Sequence, residues 1–489
     1  MTQRLNAAGL GSLPPEIRRP AYDRKAVTTG IVHLGIGAFH RAHQAVYTDD
    51  VLAADGRWSI VAASLRSPDT ADALGPQDGL YTVSVRSRDG ESLRVVGAIS
   101  RVIVAPEAVD ELLRVMSSRE VRIVSLTVTE KGYCHDPATG ALNETHPDIV
   151  HDLAEPRRPR SAPGFIVEAL RRRRAAGIAP FTVLTCDNLP SNGRTVKQVI
   201  TRLAELHDPD LGAFVAAQVA CPSTMVDRIV PATTDEDRVR IATALGATDA
   251  WPVVTEAFTQ WVIEDHFPTG RPAWEAAGAE FVADVEPYEH MKLRLLNGSH
   301  STLAYLGYLS GYETVADTMA DSAFETLVTD LMDEEVTPTL HMPPDADLAS
   351  YKRALVERFK NPALKHRTWQ IAMDGSQKLP QRLLGTVRDR LDRNASIDRL
   401  ALGVAAWMRY VTGTDEAGQP IDVRDPMAVR LRSLADGAAD PAGLAQALLG
   451  IREIFGDDLP ADPRFTRAVI GALGRLYEAG ARRTVAGLA

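Results

Sequence analysis

A lysine, an asparagine and a histidine cluster in the stretch PYEHMKLRLLNGSHSTLAYLGY, residues 287–308. Around them Met291, Leu295, Leu296, Leu303 and Leu306 recur at helical spacing, which predicts an amphipathic helix. At about 100° per residue, Lys292 falls within about 40° of Leu296 and Leu303, so its ammonium group lies inside the apolar stripe. Asn297 and His300 fall on one flank, about 140° and about 80° round from it. Burial disfavours a charged lysine, which makes its amine usable as a base near neutral pH. Asn297 can donate a hydrogen bond to an alkoxide, and His300 can bond a substrate hydroxyl. A structural reading competes: a lysine beside a leucine stripe also snorkels to water, and Asn-Gly-Ser also marks a helix break.

A second motif lies near the N-terminus. The strand-like Gly30–Leu34 runs into Gly35-Ile36-Gly37-Ala38-Phe39-His40, and a helix continues through residues 50–54. Strand, Gly-x-Gly turn and helix form the opening of a dinucleotide fold. Gly35 permits the tight turn, and Gly37 lets the backbone approach a pyrophosphate at the helix N-terminus. His40 replaces the third glycine, so the fingerprint is incomplete. The next strand, Ser59–Ser64, leads into Arg66 and Asp69. An acid there accepts the ribose hydroxyls and repels a 2′-phosphate, which points to NAD, while Arg66 keeps NADP open. Ser-Pro-Asp is also a common turn.

Further strands are expected at 81–85, 93–98, 121–128 and 181–185. Two of them end in polar clusters, Thr129-Glu130-Lys131 and Cys186-Asp187-Asn188, at the edge where open α/β sheets build their sites. Glu130 is a candidate pocket carboxylate or a solvated loop residue, and Asn188 is a candidate amide donor. The basic clusters Arg157/Arg158/Arg160 and Arg171–Arg174 read as solvated, the second complementing a helix C-terminus. Asp227 and Arg228 suggest an ion pair at a packing corner. No ligand pair has zinc-site spacing, so no metal is expected.

With 489 residues, two domains are expected. Net charge of −10 argues against a general nucleic-acid binder. Three scattered cysteines suggest a reducing cytoplasm rather than a disulfide framework. No apolar run is long enough to span a membrane, and the N-terminus has no signal-peptide core. Beyond Pro287 the pattern turns to long helices. The expected class is therefore α/β: a dinucleotide-binding domain over 1–285, then a mostly α-helical domain over 286–489. No feature sets an oligomeric state.

GIGAFHRAHQA, SLTVTEKGY, CDNLPSNG, MVDRIVP, QWVIEDHFP and KLRLLNGSH occur in this order over essentially the whole chain. In this the sequence resembles the mannitol dehydrogenase family of long-chain polyol and sugar-acid dehydrogenases. The resemblance implies a Rossmann-type N-terminal domain, NAD as cofactor and metal-independent hydride transfer on a small sugar acid or polyol. Residue by residue, it puts the catalytic lysine on Lys292, two oxyanion-stabilising asparagines on Asn188 and Asn297, and a substrate-positioning histidine on His300. It also links Glu130 to proton movement, Asp69 to NAD preference, and the 35–40 turn with Phe39 and His40 to the cofactor. Cys221 departs from the family pattern, which usually has Phe or Ser there. NPALKHRTWQIAMDGSQKLPQR, residues 361–382, resembles the sugar-acid branch, the fructuronate reductases. By the same resemblance, Gln370 stands where mannitol 2-dehydrogenases carry an arginine, and those enzymes keep a basic residue at the position of Lys378. A sugar acid needs a cation, and Arg367, Lys378 and Arg382 are available. Other nicotinamide dehydrogenases and a non-catalytic NAD sensor are the rival classes; a sensor has no need of the base.

Overall fold

The computed structural model describes residues 3–87, 90–136, 139–343 and 346–488. The chain divides into two compact units, Met1–Glu286 and Pro287–Ala489.

Five short apolar strands organise the first unit: β1 (Thr29–Leu34), β2 (Ser59–Ser64), β3 (Ile99–Val104), β4 (Ile123–Leu126) and β5 (Thr182–Thr185). They form one parallel sheet in the order β3-β2-β1-β4-β5. Side chains alternate between two cores. Val32 and Leu34 face the helices Val109–Met116, Ala162–Ala175 and Asn192–His207, whereas Ile31 packs toward Gln44–Val51 and two small sheets. A sheet covered on both faces is the Rossmann-type arrangement, and its order reverses between β1 and β4. There the crevice must open.

Four-residue strands explain most of what the sequence reading left out. Val253–Glu256 adds in parallel to the hairpin Tyr81–Ser87/Gly90–Val96. Thr224–Asp227 pairs antiparallel with Gln260–Glu264, which pairs with Glu280–Val282. The 93–98 run is split, ending one strand at Val96 and starting β3 at Ile99. Arg228 turns to the carbonyl oxygens of Glu256 (3.1 Å) and Ala42 (2.5 Å), a role not foreseen for it beside Asp227. The 171–174 cluster is not a simple solvated helix end. Arg171 and Arg172 bond Glu168, and the buried Arg173 donates to the carbonyls of Ser118, Val121 and Ala179.

The second unit is helical. Ala-rich Asp398–Tyr410 and the helices Ser299–Leu309 and Pro463–Ala479 bury Leu303, Leu306, Trp407, Val469 and Leu473. Among the described residues, three segments depart from α geometry into i→i+5 turns: Lys292–Gly298, Leu331–Val336 and Pro380–Leu384. Pro380 supplies no N–H, which removes an α-type bond where the third segment begins.

At the end of β1, Gly35 has φ +92°, and an added Cβ would lie 2.2 Å from the Thr127 carbonyl oxygen. Gly35→Ala is therefore expected to lose about 1–3 kcal/mol of stability, seen as a lowered urea midpoint. An unchanged midpoint would contradict this packing.

Candidate active site

In the first unit the C-terminal ends of β1, β2, β3 and β4 open onto a cleft of about 1160 Å³. Gly35, Ile36 and Gly37 form one edge, Arg66, Ser67 and Thr70 a second, and Thr127–Thr129 with Lys131 a third. The chemistry fits a dinucleotide. A Cβ on Gly37 would meet nothing closer than the Gly35 oxygen at 4.0 Å, so the backbone there lies open to an approaching group. Arg66, Lys131, Arg158 and Arg160 supply cations for phosphates. Arg158 and Arg160, read from sequence as solvated, are thus part of this wall. Their only sequence signal is the Arg-Pro-Arg-Ser leading into a capped helix, with Ser161 Oγ accepting from the Gly164 amide.

Asp69 stands just outside the lining as the first residue of a short helix, exposed, and accepts from Ser67 Oγ at 3.0 Å. Phe39 and His40 do not line the cleft. Phe39 stacks on His43, and His40 is fully buried against His33 with ring centroids 3.4 Å apart. In place of the expected cofactor contact, His40 packs in the core, on the side of the short helix Ala38–Ala42 that faces His33.

Asn188 is exposed after β5, and Glu130 is exposed on the turn Thr129–Gly132. Asp187 between the two strand ends accepts from the Val128 amide (2.8 Å) and the Tyr133 hydroxyl (2.7 Å), fixing that turn. Burial pushes its carboxyl up to about 6 against those hydrogen bonds. At the cleft edge, Cys134, His146 and Asp148 bring one ligand atom each within 4.8 Å of one another. His146 Nδ1 already accepts the Asp148 amide at 3.2 Å as a helix cap.

In the second unit Lys292 is 6% exposed, and Leu295 and Leu296 are buried beside it, as the stripe predicts. The angular expectation changes, however. Lys292 and Asn297 begin and nearly end an i→i+5 segment. Such a ladder holds more residues per turn, so residue 297 returns closer over 292 than the about 140° of α geometry. Gly298 permits the packing that accompanies this: its Cβ would lie 2.7 Å from the Arg382 carbonyl oxygen. Beyond it the α-helix resumes with His300, 8% exposed.

His300 stacks on Phe359 (5.3 Å) and meets His366 edge-on (4.8 Å). Its pKa is held well below the usual value, first by burial and then by His366, Arg382, Arg358 and Lys378. The ring is therefore neutral and can both donate and accept. Arg382 donates to Ser301 Oγ at 3.0 Å, and Lys378 Nζ donates to the carbonyls of Ile371 (3.2 Å) and Met373 (2.5 Å). Arg367 does not join them. It is 60% exposed and pairs with Glu313 at 3.6 Å, because the segment turns His366 inward and the next residue outward. Arg358 is buried near His300 instead, a cation the sequence reading passed over.

Fold and clefts define a dehydrogenase-type chain: a parallel-sheet dinucleotide domain, then a helical domain carrying a buried lysine and histidine and a half-buried amide. The family models for the mannitol dehydrogenase Rossmann domain and C-terminal domain match residues 29–276 and 284–477. The chain belongs to the mannitol dehydrogenase family. It is 49% identical to the D-mannonate oxidoreductase of Escherichia coli over 96% of this chain and 98% of that one. It is 40% identical to a mannitol 2-dehydrogenase of Phaeosphaeria nodorum, over 99% of this chain and 85% of that one. Among solved structures, Pseudomonas fluorescens mannitol 2-dehydrogenase in ternary complex with NAD and D-mannitol superposes with a TM-score of 0.90. It is 42% identical and covers 99% of both chains.

Two outcomes follow. Gly298→Ala should lower both thermal stability and kcat, since the Arg382 carbonyl has to move; wild-type values for both would contradict the packing. His366 titrates about 4 in the folded chain against an ordinary 6.5, lowered by burial and then by Lys378. The unfolded chain therefore binds more protons between those values, and this histidine costs stability as pH falls from about 6.5 to 4. His366→Gln should gain stability relative to wild type between pH 7 and 4.5 in urea titrations; a pH-independent difference would refute it.

Proposed function

We propose that the protein is an NAD-dependent sugar-acid dehydrogenase interconverting D-fructuronate and D-mannonate. The observation that carries this reading is the grouping of Lys378, Arg382 and Arg358 about His300, and the family resemblance puts Gln370 where the mannitol enzymes carry an arginine. A buried carboxylate must be matched by cations, whereas a neutral ketose needs none. The similarity to a D-mannonate oxidoreductase supports it. The second reading is a mannitol 2-dehydrogenase, favoured by the likeness to the complex with NAD and D-mannitol.

When bound in the first-unit cleft, the nicotinamide supplies hydride to the ketone carbon or accepts it in the opposite direction. Lys292 Nζ gives the proton to the carbonyl oxygen on reduction and removes it from the alcohol on oxidation. Asn297 donates its amide to the oxygen as its charge develops, a contribution worth about 3 kcal/mol for such a donor, and Asn188 keeps the oxyanion-stabilising role that the family resemblance gives it. Neutral His300 bonds a neighbouring hydroxyl. Lys378, already oriented by two carbonyls, and Arg382 receive the carboxylate. Asp69, exposed beside Ser67, is assigned to ribose recognition and NAD preference. Glu130 is assigned to proton exchange.

Lys292→Ala should reduce turnover by several orders of magnitude while NADH still binds; retention of more than about a tenth of wild-type kcat would remove the base role. Lys378→Met should raise the KM for fructuronate strongly, by the equivalent of about 2–5 kcal/mol, and that for fructose much less. Equal effects on both would return the chain to the second reading.

A further inference from the structure

Behind the Gly35 turn lies a buried polar ladder that neither the motif reading nor the family assignments use. His33 is on β1 with no exposed surface, and its ring connects two hydroxyls. Its Nδ1 lies 2.8 Å from Ser125 Oγ, which lies 2.9 Å from the side-chain amide oxygen Oε1 of Gln44. Its Nε2 lies 2.8 Å from Thr127 Oγ1 and 3.3 Å from the Gly35 carbonyl oxygen. Thr127 Oγ1 in turn donates to that same carbonyl at 2.7 Å.

Proton counting fixes the direction. The Gly35 carbonyl can only accept, so Thr127 spends its single hydroxyl proton there. Thr127 Oγ1 must then accept from His33, which places the ring proton on Nε2. Nδ1 is left bare and must accept from Ser125. Ser125 in its turn accepts from Gln44, which requires the Gln44 amide nitrogen to face it. The opposite amide orientation leaves Gln44 Nε2 buried with no acceptor among the described residues. With the Gln44 amide turned from the orientation in which its Oε1 accepts from Ser125, one arrangement gives Ser125, His33 and Thr127 each a donor and an acceptor: Gln44 to Ser125 to His33 to Thr127 to Gly35.

We infer that His33, as its neutral Nε2–H tautomer, is a positioning residue for the dinucleotide, holding the Gly35 carbonyl so that the 35–37 backbone faces the cleft. Gly35 sits at φ +92° against the Thr127 carbonyl, a conformation open to glycine, and its carbonyl also accepts the Gly37 amide at 2.8 Å. The ladder reaches that carbonyl from β4, through Ser125 and Thr127, and from the helix Gln44–Val51. The inference rests on the cofactor reading proposed above, but its tautomer does not.

Two measurements test it. In ligand-free wild-type protein, histidine ¹⁵N–¹H correlation spectra should show His33 protonated at Nε2 and bare at Nδ1; the Nδ1–H form would overturn the ladder. By NADH fluorescence titration, His33→Phe should raise the dissociation constant about tenfold, the scale of one lost hydrogen bond, with the KM for the sugar unchanged. Thr127→Val, which keeps shape and removes the last donor, should do the same should His33→Phe not fold. A fall in melting temperature with unaltered NADH affinity in the folded variant would make the role merely structural and overturn the proposal. Wild-type protein that binds no NADH would instead sink the cofactor reading, a separate outcome.

Discussion

The missing Cβ of Gly298 sets the second unit's chemistry. It lets the carbonyl of Arg382 come where a methyl group would stand at 2.7 Å, so two non-α segments, Lys292–Gly298 and Pro380–Leu384, pack backbone to backbone. The wide turn brings Lys292 and Asn297 toward one face, and the next α-turn presents His300. The side chain of Arg382, whose backbone makes the contact, reaches Ser301 one residue beyond the histidine. One close approach thus sets the positions of Lys292, Asn297, His300 and Arg382 together. Proteins keep such irregular turns where a regular helix would aim side chains wrongly.

The first unit solves its own problem by comparable means. Strand order reverses between β1 and β4, leaving a crevice at their carboxyl ends, and Gly35 closes the turn there against Thr127. Each glycine lets backbone approach backbone, and the side chains around it inherit their positions.

Much of this was legible in the sequence because burial has a period. The β1 and β2 runs, the leucine stripe around Lys292 and the change to helices near Pro287 all follow from apolar spacing. The register of Lys292 and Asn297 was not legible, since reading at 3.6 residues per turn assumes the α ladder that the segment abandons. Runs such as TMVD and VVTE are too short for alternation to declare them strands. His40 carried a motif position, but it lies on the face of the short helix Ala38–Ala42 that stacks on His33. Arg367 and Arg358 differ by which side of a helix or turn they occupy, and only packing decides that: one pairs with Glu313 outside, the other lies near His300.

The central claim is that the cations about His300 exist to hold a carboxylate. It is tested most directly by initial rates of NADH oxidation by the wild-type protein with D-fructuronate, D-tagaturonate, D-fructose and D-xylulose. The account predicts that kcat/KM for fructuronate exceeds that for fructose by at least about a hundredfold, the scale of a matched buried charge. Efficient reduction of fructose with no activity on either sugar acid would contradict it.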